Sequence, residues 1–383
     1  MNIVHLTQVY HPVINGVVRH ISLMTKEQKK LGHEVAIIAP HQPRYFDKEF
    51  YVFRLPSTGI GMQGYQLQVP VSAFAWNMLR KADIIHVHTP FLIAKMALQA
   101  KRKLKKPIIF THHSSYTELT HNIPGNFSFF DKTFVKPSVT KMVIGFANKT
   151  DAIIAPNETI RQYLQEGITY RYLNKKKNLN VTKPIHLIYT GCDALEAKKA
   201  DGKKRRHDLG LNDVIVYLYI GRVSKEKNIP ELISAFSEAK IPGSVLLIIG
   251  DGPMKRMLQK SAPKNVLFIG SVPMETIFEY YKAGDIFVSA STVEVQPLTF
   301  AEACVAGLPI VCYDSPGSRA AVEDNGIRAG SHEEFVYGLQ LLGKDPSIRS
   351  RYAKRSLVIA EKFSSINIAS QLISTYQEVI DGQ

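Results

Sequence analysis

Several features that would assign this chain to a class at once are missing from its sequence. There is one tryptophan, and the three cysteines, Cys192, Cys304 and Cys312, form no Cys-x-x-Cys pair. Three cysteines in apolar or turn contexts predict buried thiols in a reducing compartment. No apolar run reaches about 18 residues, and no charged and then apolar leader opens the chain. We therefore expect a cytoplasmic protein that does not span a membrane.

Common phosphate-binding and metal-binding motifs are also absent. No Gly-x-x-x-x-Gly-Lys-Ser/Thr sequence occurs, which argues against a P-loop NTPase. No Gly-x-Gly-x-x-Gly follows the first predicted strand, which argues against a dinucleotide-dependent dehydrogenase. There is no Asp-x-Asp pair, and the adjacent His112 and His113 have no third ligand at a suitable spacing. The sequence therefore predicts no metal site and no cofactor.

What the sequence has instead is an excess of positive charge, with 48 Lys and Arg against 33 Asp and Glu, or +15. The surplus is concentrated at Lys101–Lys106, Lys175–Lys177 and Lys203–Arg206. Solvated loops and helix ends are the ordinary interpretation of such runs. Nucleic acid is a weak alternative, because no zinc-finger spacing or RNP-like aromatic strand is present. An anionic membrane surface is favoured, since apolar-aromatic segments occur at Gln66–Trp76 and Asn126–Phe130.

Short apolar runs alternate with amphipathic helical patterns along the whole chain, which at 383 residues exceeds what one hydrophobic core usually supports. The predicted strands are Ile3–Leu6, Glu34–Ala39, Tyr51–Leu55, Ile84–Val87, Ile108–Thr111, Ala152–Ala155, Val214–Ile220, Ser244–Ile249, Val266–Ile269, Ile286–Ser289 and Ile310–Cys312. The predicted helices are Gly16–Leu31, Leu92–Lys103, Asn157–Glu166, Ile229–Ala239, Pro253–Ser261, Met274–Ala283, Thr299–Val305 and Glu333–Leu342. This strand–helix alternation predicts the α/β class with parallel sheets.

The alternation occurs twice, separated by a basic, polar stretch at about 174–208. We therefore expect two Rossmann-like domains that face each other across a cleft. The first is placed at 1–190 and the second at 191–365, with 366–383 as a helix that returns to the first. Ligands of open α/β sheets bind beyond the carboxyl ends of the strands, so the loops there are the candidate site.

Two glutamates that stand eight residues apart, Glu294 and Glu302, form the most informative pattern. Pro297 prevents a continuous helix between them, so Glu294 is predicted in a loop and Glu302 on a helix that Gly307 ends. Backbone N–H groups at a helix start can bind phosphate, and carboxylates accept hydrogen bonds from sugar hydroxyls. The pattern predicts a site for a polyanion with hydroxyl groups, and the alternative is an ordinary βα unit with two surface glutamates.

Three other loops at predicted strand ends hold candidate binding residues. Gly16 follows the first strand, opens a helix and lets a ligand approach the backbone closely. His113 follows the fifth strand and is suited to a polar contact with substrate. Arg222 and Lys227 follow the first strand of the second half, where a guanidinium fork and an ammonium group would suit a diphosphate.

Taken together, these segments resemble the retaining nucleotide-sugar glycosyltransferases of the two-Rossmann (GT-B) fold, in the family 4-like group, over nearly the whole chain. The matching elements occur in family order at Pro12–Val17, Thr111–His113, Gly221–Asn228, Gly250–Pro253 and the Glu294/Glu302 pair. Within the family, the segments Tyr10–Gly16, His113–Tyr116 and Val295–Gln296 are most similar to bacterial diacylglycerol glucosyltransferases and related glycolipid synthases.

The resemblance implies a role for each matching side chain. Arg222 and Lys227 would bind the diphosphate of the donor and stabilise it as it leaves. Glu294 would contact hydroxyl groups of the transferred sugar, His113 would touch its C6 hydroxyl, and Glu302 would contact the ribose. His113, Arg222, Lys227 and Glu294 are thus the implied catalytic residues.

The resemblance also implies donor contacts through the backbone. The segment from Gln296 through Leu298 to Thr299 would approach both sugar and phosphates, and Gly16 would pack near the phosphates. The chain departs from the family at Pro297, where a glycine is usual. Proline has no N–H and a fixed φ, so one backbone contact is lost or moves to Leu298 and Thr299.

The implied reaction is a metal-independent transfer of a hexose, with glucose from UDP-glucose expected, to a hydroxyl group with retention at the anomeric carbon. In the front-face mechanism proposed for this fold, the leaving phosphate takes the proton of the acceptor. The expected acceptor is a membrane lipid such as diacylglycerol, reached by an enzyme bound peripherally to the inner face of the cell membrane. Alternatives are a soluble or cell-wall polysaccharide acceptor, or a basic membrane-binding protein whose donor site has decayed. Nucleic acid is not an expected partner.

Overall fold

The computed structural model describes residues 1–13, 15–62, 65–68, 73–113, 136–172, 175–292, 294 and 298–382. The chain divides into two compact units, each with its own parallel sheet. Unit 1 consists of Met1–Tyr189 together with Ile366–Gln383, and unit 2 consists of Thr190–Ser365. The last helix therefore belongs to the unit in which the chain begins.

Unit 1 contains both a large parallel sheet and two small antiparallel hairpins. Its strands are β1 (Asn2–Leu6), β2 (Glu34–Pro40), β3 (Val52–Leu55), β4 (Ser57–Met62), β5 (Tyr65–Gln68), β6 (Ile84–Val87), β7 (Ile108–Thr111), β8 (Ala152–Ala155), β9 (Ile168–Tyr172), β10 (Lys175–Leu179) and β11 (Ile185–Leu187). Its first helices are α1 (Gly16–Lys30), α2 (Ala73–Lys81), α3 (Leu92–Leu104), α4 (Lys136–Ala147) and α5 (Glu158–Glu166). The main sheet has the order β11-β8-β7-β6-β1-β2-β3.

Unit 2 is built around one sheet in which all strand pairs are parallel. Its strands are β12 (Ile215–Ile220), β13 (Ser244–Ile249), β14 (Val266–Gly270), β15 (Ile286–Ser289), β16 (Ile310–Tyr313) and β17 (Gly326–Ala329). Its helices are α6 (Ala194–Lys199), α7 (Gly202–Asp208), α8 (Ile229–Ala239), α9 (Lys255–Ser261), α10 (Ile277–Ala283), α11 (Leu298–Val305), α12 (Pro316–Ala321), α13 (His332–Lys344) and α14 (Pro346–Ile359). The chain then continues into α15 (Ser365–Asp381), the terminal helix, which belongs to unit 1. The sheet order is β14-β13-β12-β15-β16-β17.

Both main sheets have the doubly wound strand order. Counted within unit 2, the order is 3-2-1-4-5-6, and the main sheet of unit 1 has the same order with a seventh strand added. The order reverses between β1 and β6 in unit 1 and between β12 and β15 in unit 2. Such a switch point is where ligands bind in open α/β sheets, because the loops of the two central strands run in opposite directions. The predicted α/β class with two Rossmann-like domains is confirmed.

The core of unit 1 depends on the end of the chain. Ile3, Ile84 and Ile109 from three neighbouring strands pack in one buried cluster with Leu372 and Tyr376 of α15. Complete burial of such an aliphatic or aromatic side chain contributes about 1.5–3 kcal/mol to stability. The apolar stripe of α15 thus explains why the chain returns to this unit.

Two antiparallel hairpins, β4–β5 and β9–β10, were not anticipated from the sequence. The run Lys175–Lys177 forms part of β10 and pairs with Tyr170–Tyr172, although we expected it in a polar stretch between domains. Its lysines lack the apolar alternation by which a strand is recognised, so backbone pairing alone reveals it. The segment Gln66–Trp76 contributes to β5 and α2, while Asn126–Phe130 lies outside the described residues. No described helix has the length and apolar character needed to cross a bilayer.

Candidate functional site

An ion pair joins two loops at the switch point of unit 2. Strands β12 and β15 are direct neighbours, so the loops that leave their carboxyl ends lie side by side. The ammonium group of Lys227 on the first loop contacts the carboxylate of Glu294 on the second. The side chains are 24% and 14% exposed, respectively, so a ligand can reach both. The structure therefore brings together two residues that the sequence placed 67 positions apart.

Backbone contacts hold this pair of loops in place. The hydroxyl of Ser291 donates a hydrogen bond to the carbonyl of Glu226 at 3.2 Å. The carbonyl of Glu294 accepts one from the backbone N–H of Gly317 at 2.6 Å. Both side chains of the ion pair are consequently presented from anchored backbone, as an electrostatic site requires.

The Gly-Asp-Gly-Pro segment has a packing role next to this site. Gly250 has a φ of +134°, and a Cβ there would lie 1.9 Å from the carbonyl oxygen of Gly221. A Cβ on Gly252 would lie 2.3 Å from the carbonyl oxygen of Val223. The loops after β12 and β13 therefore touch backbone to backbone, and Arg222 lies on the loop that this contact supports.

Arg222 remains exposed, while its own backbone is held by a buried tyrosine. The hydroxyl of Tyr219 donates to the carbonyl of Arg222 at 2.9 Å. Burial and the nearby carboxylates of Glu294 and Glu226 raise the pKa of Tyr219 well above its ordinary value. This phenol therefore stays neutral and keeps its proton for the hydrogen bond. The guanidinium of Arg222 is left facing solvent.

Glu302 lies in a different environment from Glu294. All of α11 except Thr299 is buried, and Glu302 is 1% exposed. Its carboxylate accepts a hydrogen bond from the hydroxyl of Tyr281 at 2.7 Å. The helix ends at Val305, and Gly307 follows with a φ of +75°, as the sequence predicted. Of the two glutamates, Glu294 is thus the accessible one, and Glu302 offers its acceptor oxygens from inside the unit.

The other predicted donor-binding residues fall at helix starts or outside the described residues. Leu298 and Thr299 are the first two residues of α11. Gly16 is the exposed first residue of α1, whose N-terminus is capped by the side chain of Asn15. Gln296 and the unusual Pro297 lie outside the described residues.

At the switch point of unit 1, His113 belongs to a cluster of histidines. Its Nε2 is 2.9 Å from Nδ1 of His88, which follows β6, and Nε2 of His88 is 2.8 Å from Nδ1 of His5 in β1. The ring of His86 lies 4.1 Å from that of His88, and the ring of His20 from α1 lies 5.1 Å from that of His113. We call these five residues the histidine cluster.

Four members of this cluster were not predicted from the sequence. Ligands of a metal are recognised in a sequence by their spacing along one segment, whereas these histidines come from β1, α1 and the ends of β6 and β7. The spacing of His86 and His88, two residues apart at the end of one predicted strand, was the signal that could have revealed the cluster. Two groups, His5–His86–His88 and His20–His88–His113, have ring nitrogens within 4.8 Å of one another and so meet the spacing of a metal site. His113 therefore does have potential partner ligands, which come from other segments of the chain.

Burial keeps the imidazoles of the cluster neutral. It lowers the pKa of His5 to about 4 and that of His20 to about 3. Burial, reinforced by neighbouring histidines, lowers the pKa values of His86, His88 and His113 well below their ordinary value. Each ring consequently has one N–H and one bare nitrogen near pH 7.

Two family comparisons cover most of the chain. Residues 201–357, in unit 2, match the family described as Glycosyl transferases group 1. Residues 14–194, in unit 1 and the first few residues of unit 2, match Glycosyltransferase Family 4. The two matches follow one another in sequence and include every described candidate site residue.

Similar proteins match over most of their length. The chain is 29% identical to the alpha-monoglucosyldiacylglycerol synthase of Acholeplasma laidlawii, over 100% of this chain and 98% of that protein. It is 30% identical to the alpha-monoglucosyldiacylglycerol synthase of Streptococcus pneumoniae, over 95% of this chain and 83% of that protein.

Solved structures share the fold at much lower identity. HepE of Anabaena, solved in complex with UDP-glucose, superposes with a TM-score of 0.73 at 17% identity, over 99% of this chain and 100% of that one. Sucrose-phosphate synthase of Thermosynechococcus elongatus superposes with a TM-score of 0.77 at 17% identity over all of both chains. The GT-B fold expected from the sequence is therefore confirmed.

Proposed function

Since this chain belongs to the group 1 and family 4 glycosyltransferases, we propose that it transfers glucose from UDP-glucose to a hydroxyl group of diacylglycerol. The observation that carries this proposal is the similarity, over most of each chain, to two proteins named alpha-monoglucosyldiacylglycerol synthase. We further propose that the anomeric configuration is retained and that no metal ion takes part.

The charges of unit 2 suit the donor diphosphate. The barrier to glycosyl transfer lies largely in separating an oxocarbenium-like sugar from an anionic leaving group, so positive charge at that group is the main source of catalysis. Arg222 is exposed on its supported loop, and Lys227 is anchored beside Glu294. In our proposal the diphosphate binds these two cations, and the start of α11, at Leu298 and Thr299, adds N–H groups and its dipole.

We propose the remaining roles as the family resemblance implies them. The accessible carboxylate of Glu294 would accept hydrogen bonds from the transferred sugar, whereas the enclosed carboxylate of Glu302 would accept them from the ribose. His113 would contact the C6 hydroxyl, and Gly16 would lie near the phosphates. The bond from C1 of glucose to the diphosphate breaks, and the acceptor oxygen bonds to C1 on the same face. The acceptor's proton passes to the leaving phosphate oxygen.

A basic and apolar surface on unit 1 supports a lipid acceptor. Helices α2 and α3 pack against each other. The exposed residues of these helices include Phe74, Arg80, Lys81, Arg102 and Lys103, and Lys105, which directly follows α3, is exposed as well. We call this the α2–α3 surface and propose that it binds anionic lipid, which attracts each nearby basic residue by about 1 kcal/mol.

Lys101 does not belong to this surface, although it lies in the same basic run. Its ammonium is 2.5 Å from the carboxylate of Asp151, which also accepts the backbone N–H of Ile108 at 2.8 Å. That contact joins α3 to the start of β7. The proposed surface therefore uses only the exposed part of the run.

Transfer of radiolabelled glucose from UDP-glucose to diacylglycerol in phosphatidylcholine vesicles, with and without phosphatidylglycerol, tests the proposal. We expect a labelled lipid whose yield rises with the anionic fraction, and vesicle binding that weakens at high salt because salt screens the attraction. Labelling only of a soluble or polysaccharide acceptor would contradict the lipid proposal. Vesicle binding without any use of UDP-glucose would indicate a decayed donor site.

Two sets of charge-matched variants separate a local surface from general basicity. The combination of Arg102→Gln, Lys103→Gln and Lys105→Asn removes three cations, and asparagine suits the left-handed conformation at position 105, where φ is 53°. We expect binding to anionic vesicles to weaken by about a hundredfold. The control replaces the exposed Lys198, Lys199 and Lys203 of unit 2 by glutamine. Equal loss of binding in both sets would contradict a docking role for the α2–α3 surface.

A further inference from the structure

A continuous chain of hydrogen bonds connects a buried amide to His113. Oε1 of Gln28, in α1, lies 2.8 Å from Nε2 of His5. Nδ1 of His5 lies 2.8 Å from Nε2 of His88, and Nδ1 of His88 lies 2.9 Å from Nε2 of His113. Both ring nitrogens of His5 and of His88, and Nε2 of His113, therefore each have one defined partner.

The direction of the whole chain follows from its first member. A carbonyl oxygen can only accept, so Nε2 of His5 carries the proton and Nδ1 of His5 is bare. Because the rings are neutral, Nε2 of His88 must then donate to His5, and Nε2 of His113 must donate to His88. Nδ1 of His113, which is not part of this chain of bonds, is left with a lone pair.

The amide of Gln28 is also hydrogen-bonded to the terminal helix. Its Nε2 donates to the hydroxyl of Tyr376, in α15, at 3.3 Å. That hydroxyl lies 2.6 Å from Nδ1 of His86, whose Nε2 lies 2.6 Å from the hydroxyl of Thr111. An amide has one donating and one accepting end, whereas an imidazole or a hydroxyl can reverse its role. Gln28 is therefore the member that sets the polarity of the chain, and rotation of its amide would invert every tautomer.

We propose that Gln28 is a positioning residue that acts through His5 and His88 to fix the tautomer of His113, so that Nδ1 of His113 accepts a hydrogen bond from a hydroxyl of the transferred sugar. This inference rests on the proposed function, which puts His113 beside the sugar. Selection of one tautomer by the group behind a histidine is an established way to orient it. Here the selecting group is separated from the working ring by two further rings.

The same rings meet the spacing of a metal site, but their bonding favours the proton chain. A metal would need lone pairs on three rings at once. At 2.8 and 2.9 Å, the contacts of His88 on both sides are hydrogen bonds, and each places a proton between two nitrogens. Both ring nitrogens of His88 therefore take part in hydrogen bonds, and neither is available to bind a metal.

Nitrogen NMR of the full chain labelled at its thirteen histidines tests the tautomer directly. Protonated and bare ring nitrogens of a neutral imidazole have well-separated shifts, and single substitutions assign the signals. In the parent protein we expect the Nε2–H form of His113. In Gln28→Met, which removes the accepting oxygen and keeps the side-chain length, we expect a mixture of both tautomers. A His113 spectrum that does not change in Gln28→Met would overturn the proposal.

Two further variants separate this effect from general damage. Tyr376→Phe frees the amide of Gln28 without removing its carbonyl, so it should also mix the tautomers, and it serves if Gln28→Met does not fold. Gln340→Met, whose parent amide donates to the carbonyl of Ala239 in unit 2, is the matched control and should leave the His113 signal unchanged. Tightly bound metal at one equivalent per chain of purified parent protein would overturn the proton chain.

A donor analogue provides a functional readout that a simple loss of stability would not change. Fluorine at C6 cannot donate, so the parent should discriminate strongly between UDP-glucose and its 6-deoxy-6-fluoro analogue. The ratio of their kcat/KM values should fall by about tenfold or more in Gln28→Met, by analogy with the loss of partners behind a working histidine. An unchanged ratio would count against a role of Gln28 in fixing the tautomer of His113. Full activity of His113→Ala would instead refute the proposed contact of His113 with the sugar, whatever the spectrum shows.

Discussion

The switch points of the two main sheets have the same topology but opposite chemistry. In unit 2 the switch point holds charged groups, with Lys227 and Glu294 paired and partly exposed. In unit 1 it holds the histidine cluster, in which His5, His86 and His88 are completely buried. Burial of a charge without full compensation costs several kcal/mol, so charged groups stay near solvent. Imidazole avoids that cost by giving up its proton, so the same position in a fold can hold either kind of site.

Unfolding at low pH is the clearest test of this contrast. Each buried histidine binds its proton in the unfolded chain at an ordinary pKa near 6.5 but in the folded chain only at a much lower one, about 4 for His5 and His112. The stabilisation is therefore present above pH 6.5 and is lost as the pH falls towards 4. Each such group changes the free energy of unfolding by about 1.4 kcal/mol per pH unit.

We consequently expect unit 1 to unfold between about pH 6 and 4 while unit 2 stays folded. Hydrogen exchange measured by mass spectrometry on the full chain reports both units at once. Neither ring nitrogen of His20 has a hydrogen-bond partner among the described residues, so His20→Leu should reduce the acid sensitivity. Loss of protection at the same pH in both units would contradict the contrast.

The next largest effect should come from the cations of unit 2. Arg222→Ala and Lys227→Ala should each reduce turnover by about a hundredfold or more, the scale for removal of a preorganised charge that faces a leaving group. Steady-state transfer of glucose measures this. Lys225→Ala, on the same loop and exposed, is the control. Activity within about threefold of the parent for either variant would remove that residue from the donor site.

The two glutamates should differ in the parameter that they change. Glu294→Gln should mainly lower kcat, because a contact to the sugar can strengthen in the transition state. Glu302→Gln should mainly weaken donor binding, since a contact remote from the breaking bond stabilises ground and transition states alike. Donor affinity by calorimetry and kcat by transfer assay separate the two effects. Equal changes in both parameters would count against the assignment. Tyr281→Phe removes the hydrogen bond to Glu302, so a loss of kcat in this variant as large as that in Glu294→Gln would also count against it.

The smallest effect is expected at His332 of unit 2, whose pKa is raised and not lowered. Hydrogen bonds to Glu238 and Glu231 raise the pKa of His332 to about 9. The stabilisation is present below pH 6.5 and is lost as the pH rises through about 9. The melting temperature of unit 2 should decline slightly across that window, and His332→Gln should abolish the slope. His207→Gln, exposed on α7, should leave the slope intact.

The elements that the sequence predicted correctly are those with continuous apolar runs. Predicted and observed bounds coincide for β6, β7, β8, β13 and β15. Strands buried on both faces need such runs, so their signal is local and strong. The loop that bears Glu294 follows β15 directly, and the loop that bears Arg222 and Lys227 follows β12, whose predicted start at Val214 is one residue too early.

The sequence by itself determined the class of the fold and the family, because the periodicity of strands and helices and the order of motifs can be recognised along the chain without its three-dimensional structure. Only the tertiary structure decided which groups meet. It joined Lys101 to Asp151, enclosed Glu302 against Tyr281 and linked Gln28 to His113 through rings from separate strands. Sheet pairing brings residues about 80 positions apart into hydrogen-bond distance, as it does His5 and His88. Whether a polar side chain there is neutral, paired or exposed depends on its neighbours in space, because burial and hydrogen bonding set its charge.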